Sequence, residues 1–347
     1  MREAKSLSPS TERIAELVAA VSRAPDDASW RFAFRHGFRG LRAELNLHPA
    51  ESTAAATFAA AAQTACSVAM DCLPLGLALV MHLYPLCALR CVPLPRWSAA
   101  SLRRGLLLHA IDSRSLLLAN AGSERAAGAH APVELTRTRD GIRVNGTYDY
   151  VSLANVADVV LFSAPLAGSP CTIFCAADLR GDSVRIGDSR FSGSMRLSDT
   201  CSVTFDNHRV ATNRYVVVPD ESALNCMAQY QRSWFQLLLG ESYLARIEYL
   251  RSQWEMPRSA ADIASLNEVR LMKEYALRLF DEAASPGAGE SLSRVTAAIK
   301  LRISWMAQSV AAALRNLDAG AANELGYFKL QPTSDARILR SIGAIAA

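Results

Sequence analysis

The chain has 347 residues, of which 50% are apolar and 20% are charged, so it is long enough for a large core and two or three domains. Its formal net charge of +4 is spread along the sequence and gives no support to a nucleic-acid-binding class. Residues 1–10 are polar without an apolar signal region, and the 8 cysteines lie in apolar stretches without a CxxC pair. We therefore expect a cytoplasmic protein with reduced core cysteines and no metal site.

Helical patterns fill the sequence before residue 110. Apolar residues at helical spacing begin this block, and many of its later residues are Ala. The stretch 73–89 is apolar, but two prolines and a histidine interrupt it, which favours a buried helix over a membrane span. The predicted helices cover residues 11–21, 30–47, 52–70, 73–89 and 98–109.

Strand patterns dominate residues 117–218. Short runs rich in β-branched and aromatic side chains occur here, some alternating with polar residues and some continuously apolar. The pair Asn145-Gly146 predicts a hairpin turn, and Asp206-Asn207 predicts another turn. The predicted strands cover residues 148–152, 159–163, 172–175, 202–205 and 215–218.

Helical patterns return after Pro219. The connections between them are short, so consecutive long helices are expected to pack antiparallel as a bundle. The predicted helices cover residues 222–254, 260–284, 291–318 and 334–345.

No general catalytic or nucleotide-binding motif is present in the sequence. It contains no GxGxxG, Walker, HExxH or GxSxG pattern, and its 6 histidines are scattered. Lone histidines of this kind are usually surface or satisfied core residues. Residue patterns alone therefore identify no catalytic machinery.

Four short segments, in the right order, resemble motifs of the acyl-CoA dehydrogenase family. The first is Ala-Gly-Ser-Glu at 121–124, and the second is the run Gly141–Ser152, which contains Asn-Gly and ends in an aromatic residue, Val and Ser. The third is the Ala-Asp step within 154–158. The fourth covers 195–210, where a strand lead-in precedes Phe-Asp-Asn. The resemblance implies an α+β fold with an N-terminal all-α domain, a middle antiparallel β-barrel or sandwich domain and a C-terminal four-helix bundle. Its domains would cover residues 1–109, 110–219 and 220–347.

The resemblance also implies a flavin site, with FAD between the middle and C-terminal domains. Carried over residue by residue, it places Ser152 near flavin N5 and Tyr150 stacked on the ring. Leu118 and Asn120 would line the pyrimidine side, and Ser123 would face a phosphate or the substrate. The alternative is that Ser152 and Tyr150 are ordinary strand residues.

The catalytic base of the family is missing from its two usual positions. Dehydrogenation of an acyl thioester needs a glutamate that removes the α proton while hydride leaves the β carbon. The resemblance places Gly343 at one position of this glutamate and Gln231 at the other. Glu241 is the next carboxylate after Gln231 on the same predicted helix, either as a displaced base or as a helix-surface or interhelical ion-pair residue.

Two function classes are open. The first is an FAD-dependent oxidoreductase acting on an acyl thioester or a specialised metabolite, or a flavin monooxygenase that hydroxylates nitrogen or carbon. The second is a non-redox lyase, cyclase or binding subunit.

The motifs with which the family binds FAD are altered at residues 251–255 and 323–327. We expect a small-molecule, acyl-CoA or acyl-carrier-protein substrate, a flavin reductase or electron acceptor as partner, a homodimer or homotetramer, and no nucleic acid or membrane.

Overall fold

The computed structural model describes residues 9–44, 53–91, 94, 98–121, 133–169, 172–218, 221–282 and 288–329. The five helices predicted before residue 110 are all present. A side-chain cap begins the third, where Thr53 accepts a hydrogen bond from the N–H of Ala56. The helices are α1 (Pro9–Ser22), α2 (Asp27–Glu44), α3 (Ala54–Asp71), α4 (Leu73–Cys91) and α5 (Ala99–Ser113).

The strand block forms one eight-stranded sheet, in the order β6-β7-β3-β1-β4-β5-β8 with β2 also paired to β3. The pairs are antiparallel except β1 with β4. The sheet curls, so that the Phe162 ring of β4 packs 5.7 Å from the Phe205 ring of β7. The strands are β1 (Leu118–Ala121), β2 (Glu134–Thr138), β3 (Gly141–Ser152), β4 (Val159–Pro165), β5 (Thr172–Asp178), β6 (Val184–Ser189), β7 (Cys201–Ala211) and β8 (Tyr215–Val218).

Both predicted turns in this block are wrong. Asn145 and Gly146 lie inside β3, and Asp206 and Asn207 lie inside β7. The β3–β7 register shifts here, so Asp206 and Asn207 together oppose Asn145 as a β-bulge. Asn207 adopts φ 50°, and its N–H donates to Oδ1 of Asn145 at 2.7 Å. Asn and Gly adopt positive backbone φ angles more readily than other residues, and here that property permits a bulge between two long strands rather than a turn.

The first three helices predicted after Pro219 are present, and a short helix that was not predicted follows them. They are α6 (Glu221–Gln253), α7 (Ala260–Asp281), α8 (Ala288–Leu314) and a short α9 (Ala319–Gly326). Gly240 lets α6 and α8 approach closely, because a Cβ there would lie 2.9 Å from Cδ1 of Ile303. The predicted helix 334–345 lies outside the described residues.

A continuous apolar core joins the three blocks. Helices α3 and α4 pack against α6, and the rings of Trp234 and Phe280 lie 4.7 Å apart in the bundle. Helix α4 is long and apolar enough to cross a bilayer, but 89% of its apolar window is buried within the protein. Cys87, Cys175 and Cys201 are buried cysteines. The expected α+β class, with helical blocks on both sides of a strand block, is confirmed.

Candidate functional site

Two of the predicted flavin residues face each other across the pair β1–β3. Asn120 and Ser152 are directly opposite partners in the antiparallel register, so their side chains share one face of the sheet. Ser152 is buried and Asn120 is half-buried. The sheet therefore presents an amide and a hydroxyl side by side, and each group can both donate and accept a hydrogen bond.

Two further hydroxyls extend inward from Ser152. Its Oγ lies 2.9 Å from Oγ1 of Thr200, which lies 2.8 Å from Oγ of Ser198. All three side chains are buried. Thr200 immediately precedes β7, and Ser198 ends a short 3₁₀-helix, Gly193–Ser198.

Hydrogen bonds hold the turn that follows Ser152 against the segment that contains Ser198 and Thr200. The N–H groups of Leu153 and Ala154 donate to the carbonyls of Ser198 and Asp199 at 3.1 Å each. The N–H of Asn155 donates to the Asp199 carboxylate at 2.7 Å. Leu153 and Asp199 both adopt left-handed backbone, with φ 62° and 49°, a conformation that costs free energy and persists where the surroundings fix it.

Helix α2 reinforces this clamp through a buried carboxylate. Burial raises the pKa of Asp199, while the bonds from Asn155 and the nearby Arg31 guanidinium act in the opposite direction. Arg31 pairs with Asp199 at 3.0 Å, and Arg35 of the same helix pairs with Asp158. The N-terminal helices therefore help to fix the strand ends that carry Ser152.

Helices α4 and α6 lie beside Asn120, the other residue of the Asn120–Ser152 pair. Burial raises the pKa of Tyr84, and a hydrogen bond with the Asn120 side chain acts against that rise. The Tyr84 ring packs 5.2 Å from the ring of Phe235 on α6. An apolar wall from two helices thus approaches Asn120, and a mostly apolar pocket with a few polar groups is the usual setting of a bound organic cofactor.

Leu118 occupies a different environment from Asn120. Its side chain is fully buried, and its N–H donates to Nδ1 of the buried His82 at 3.0 Å. Because that ring nitrogen accepts, it carries no proton. Leu118 therefore anchors β1 to α4, and Asn120 presents the polar group at this end of the strand.

Tyr150 is the exposed member of an aromatic group between the sheet and the C-terminal helices. Its side chain is 54% exposed, and its ring centroid lies 6.5 Å from that of Phe191. Phe191 in turn packs edge-on against Tyr327 after α9, at 6.0 Å. Tyr150 therefore offers an open ring face two residues before Ser152. Ser123 lies outside the described residues.

The structure shows where the residues discussed as bases lie. Gln231 is half-buried on α6, and Gly343 lies outside the described residues. Glu241 forms an ion pair with Lys273 of α7 at 2.9 Å, and Lys273 lies over the ring of Phe58 of α3. This interhelical ion pair was the alternative expected for Glu241, and it holds the carboxylate between α3 and α7.

In the regions that correspond to the family's FAD-binding motifs, this chain forms ion pairs between its own helices. The Arg251 side chain is 7% exposed and pairs with Asp262 at 3.0 Å. Glu324 pairs with Arg246 at 3.0 Å, and burial raises the pKa of Glu324 against the lowering by Arg246. These side chains join helices of one chain to each other.

The residues on the sheet fit a flavin. The polar edge of an isoalloxazine alternates hydrogen-bond donors and acceptors, and Asn120 and Ser152 supply both kinds of group from adjacent strands. Tyr150 supplies an exposed aromatic face, and the Tyr84–Phe235 pair supplies an apolar wall. Residue patterns had identified neither Tyr84 nor Thr200, because their roles depend on which helix and strand meet Asn120 and Ser152.

A separate cavity of about 310 Å³ lies at the opposite end of β7 from Thr200. Arg114, Arg209, Arg214 and Asp178 are among its lining residues. Ten residues of strand separate the two places, which is roughly 30 Å along β7. Among the described flavin candidates, neither Leu118, Asn120, Tyr150 nor Ser152 lines this cavity.

Solved structures match the chain over nearly its whole length. Methanesulfinate monooxygenase MsuC from Pseudomonas fluorescens has a TM-score of 0.72 at 15% identity, covering 98% of this chain and 97% of that one. KijD3 in complex with FMN and a dTDP-linked amino-keto sugar has a TM-score of 0.68 at 15% identity, covering 98% and 94%.

A third structure is that of the dibenzothiophene monooxygenase TdsC from Paenibacillus sp. A11-2 with FMN and indole. Its TM-score is 0.67 at 17% identity, covering 96% of this chain and 94% of that one. Comparisons with protein-family models and with curated sequences find no match. The structural likenesses establish that this chain has the acyl-CoA dehydrogenase-like fold.

Proposed function

We propose that this protein is a flavin-dependent monooxygenase that hydroxylates a small molecule. The observation that carries the proposal is the combination of Asn120 and Ser152, whose side chains can bind a flavin edge, with a described part of α6 in which neither Gln231 nor Glu241 is available as a base. Gln231 is an amide, and Glu241 is paired with Lys273 at 2.9 Å. Hydroxylation by reduced flavin and oxygen does not need the glutamate that dehydrogenation of an acyl thioester needs. Two of the proteins with a similar fold, MsuC and TdsC, are monooxygenases, which supports the same reaction class.

The residues have distinct roles in this proposal. Asn120 and Ser152 bind the polar edge of the ring and Tyr150 covers one of its faces, while the family resemblance assigns Ser123 to a phosphate or the substrate. When bound, the flavin supplies the electrons that reduce dioxygen, and one oxygen atom is transferred to the substrate. Tyr84 and Phe235 form an apolar wall that limits the access of water to the reacting atoms.

We propose FMN as the bound form rather than the FAD that the family resemblance implies. Arg251 and Glu324, in the regions where the family grips the distant end of FAD, pair with Asp262 and Arg246 of the same chain. Structures of similar fold contain FMN, which agrees with this choice.

The proposal extends to the partners of the protein. The electrons would come from a separate flavin reductase. The substrate would be a small molecule, free or tethered to coenzyme A or a carrier protein, and the protein would be a cytoplasmic homo-oligomer.

Rapid mixing tests the reaction class. FMN is reduced anaerobically, bound to the protein and mixed with oxygenated buffer, and its absorbance is followed. We expect reoxidation kinetics that differ from those of free reduced FMN, since the site excludes water. A panel of saturated acyl-CoA thioesters should leave bound oxidised flavin unreduced.

The other outcomes point to the other functions. Reduction of the bound flavin by an acyl-CoA would contradict the monooxygenase and support a dehydrogenase with a base elsewhere in the chain. A colourless protein that binds neither FMN nor FAD would support a lyase, cyclase or binding subunit.

A further inference from the structure

The buried hydroxyls of Ser152, Thr200 and Ser198 form a chain with restricted hydrogen-bond directions. Thr200 has a hydroxyl neighbour on each side, at 2.9 Å and 2.8 Å, but only one proton to donate. It therefore donates to one neighbour and is free to accept from the other. In one direction Ser198 donates to Thr200 and Thr200 donates to Ser152. In the other direction both bonds are reversed.

The direction of the chain decides what remains free on Ser152. When Thr200 donates to Ser152, the Ser152 proton is free to donate to a ligand. When Ser152 donates to Thr200, its lone pairs are free to accept from a ligand. In both cases the Ser152 oxygen stays in the same place, because the same partner holds it at the same distance.

We propose that Thr200, supported by Ser198, is a positioning residue that lets Ser152 hydrogen-bond a flavin in either oxidation state without moving its oxygen. The inference rests on the proposed flavin site. Position N5 of an oxidised flavin accepts a hydrogen bond, and the N5–H of a reduced flavin donates one. Reversal of the hydroxyl chain matches Ser152 to each, and a serine that is both donor and acceptor within a chain makes stronger bonds than an isolated one.

Strands β3 and β7 contain a matched control. The hydroxyls of Thr147 on β3 and Thr204 on β7 also lie 2.9 Å apart, but in the middle of the strands and away from Asn120. Thr204→Val removes a cross-strand hydroxyl contact of the same length and leaves the shape of the side chain unchanged. Thr200→Val makes the same change at the proposed site, and Thr200→Ser keeps the hydroxyl while removing a methyl group.

The test measures dissociation constants for oxidised FMN and, anaerobically, for reduced FMN, together with thermal unfolding without flavin. Thr200→Val should weaken the binding of both forms by about 3- to 10-fold, the effect of losing one hydrogen bond. Thr200→Ser should bind like the wild type even if its smaller side chain lowers the unfolding temperature. Thr204→Val should bind like the wild type.

A double variant shows whether Thr200 acts through Ser152. In the Ser152→Ala background, Thr200→Val should cause no further loss of affinity, because the residue it positions is absent. A full additional loss there, equal losses for Thr200→Val and Thr204→Val, or unchanged affinity of Thr200→Val would overturn the inference while the flavin site stands. Failure of the wild-type protein to bind either flavin would overturn the proposed function and the inference together.

Discussion

At the scale of single residues, Ser152 combines burial with a hydroxyl that faces the same side of the sheet as Asn120. We expect Ser152→Ala to weaken FMN binding by about 3- to 10-fold and to shift the absorption spectrum of the bound flavin, because one hydrogen bond to the ring edge is lost. Fluorescence titration measures the affinity. Ser163→Ala, which changes a half-buried serine on β4, is the control and should leave both properties unchanged.

His208 gives the stability a pH dependence whose sign follows from its environment. Burial lowers the pKa of His208, and its Nδ1 lies 2.9 Å from the Ser183 hydroxyl. The unfolded chain therefore binds the His208 proton more readily than the folded chain does. Its contribution is fully present above about pH 6.5 and is lost as the pH falls towards the lowered pKa. Denaturant unfolding at pH 7.5 and 5.5 should show this loss, and His208→Gln should reduce the difference; an identical difference in the variant would contradict the assignment.

At the scale of elements, the junction of α6 and α7 depends on Asp262. This residue completes a capping box with Ser259 and also pairs with the buried Arg251, which lowers the pKa of Asp262. Asp262→Asn should destabilise the protein by about 2–3 kcal/mol, because a helix cap is weakened and a buried guanidinium is left unpaired. Since the pKa is lowered, this stability is present at neutral pH and is lost as the pH falls below the usual range of an aspartate.

Denaturant unfolding with an exposed ion pair as control checks this prediction. The side chains of Asp140 and Arg209 also form an ion pair, at 2.8 Å, but both are about half exposed. Asp140→Asn should cost less than about 1 kcal/mol, as exposed pairs usually do. Equal losses of stability for the two variants would show that the burial of Arg251 does not increase the cost of removing its partner.

Element types were predictable from the sequence because they depend on local spacing, whereas pairing was not. The predicted helices within the described residues and the five predicted strands follow from apolar periodicity, whereas β1, β2, β6 and α9 were not predicted. The Asn145-Gly146 pair has the same local preference in a hairpin and in a bulge, and only its pairing with Asp206 and Asn207 decides between them. The same limit applies to the candidate site: the prediction of Ser152 rests on a motif that ends with it, whereas Thr200 and Tyr84 contact Ser152 and Asn120 only because distant parts of the chain come together.

At the scale of the whole molecule, the N-terminal helices and the bundle both hold the sheet that carries the site. Arg31 and Arg35 of α2 pair with Asp199 and Asp158 at the strand ends. The C-terminal side contributes Phe235 through its contact with Tyr84. A flavin bound at Asn120 and Ser152 would therefore contact groups fixed by all three blocks, which favours a rigid site.

Assembly through the C-terminal helices is a further prediction at this scale. Leu271 and Tyr275 lie one turn apart on α7 with side chains 68% and 51% exposed. Sedimentation velocity should show a homodimer or homotetramer, and Leu271→Asp should shift it towards smaller species. Leu102→Asp on α5, where the side chain is 67% exposed, is the matched control and should leave the assembly unchanged. A wild-type monomer would contradict the prediction.

A crystal structure of the protein with bound FMN tests the central claim most directly. The account predicts that the ring lies between the sheet and α6, with N5 within about 3.5 Å of the Ser152 hydroxyl and with Asn120 on its polar edge. A flavin bound elsewhere, such as the cavity lined by Arg114 and Arg214, or a glutamate or aspartate facing N5, would contradict it.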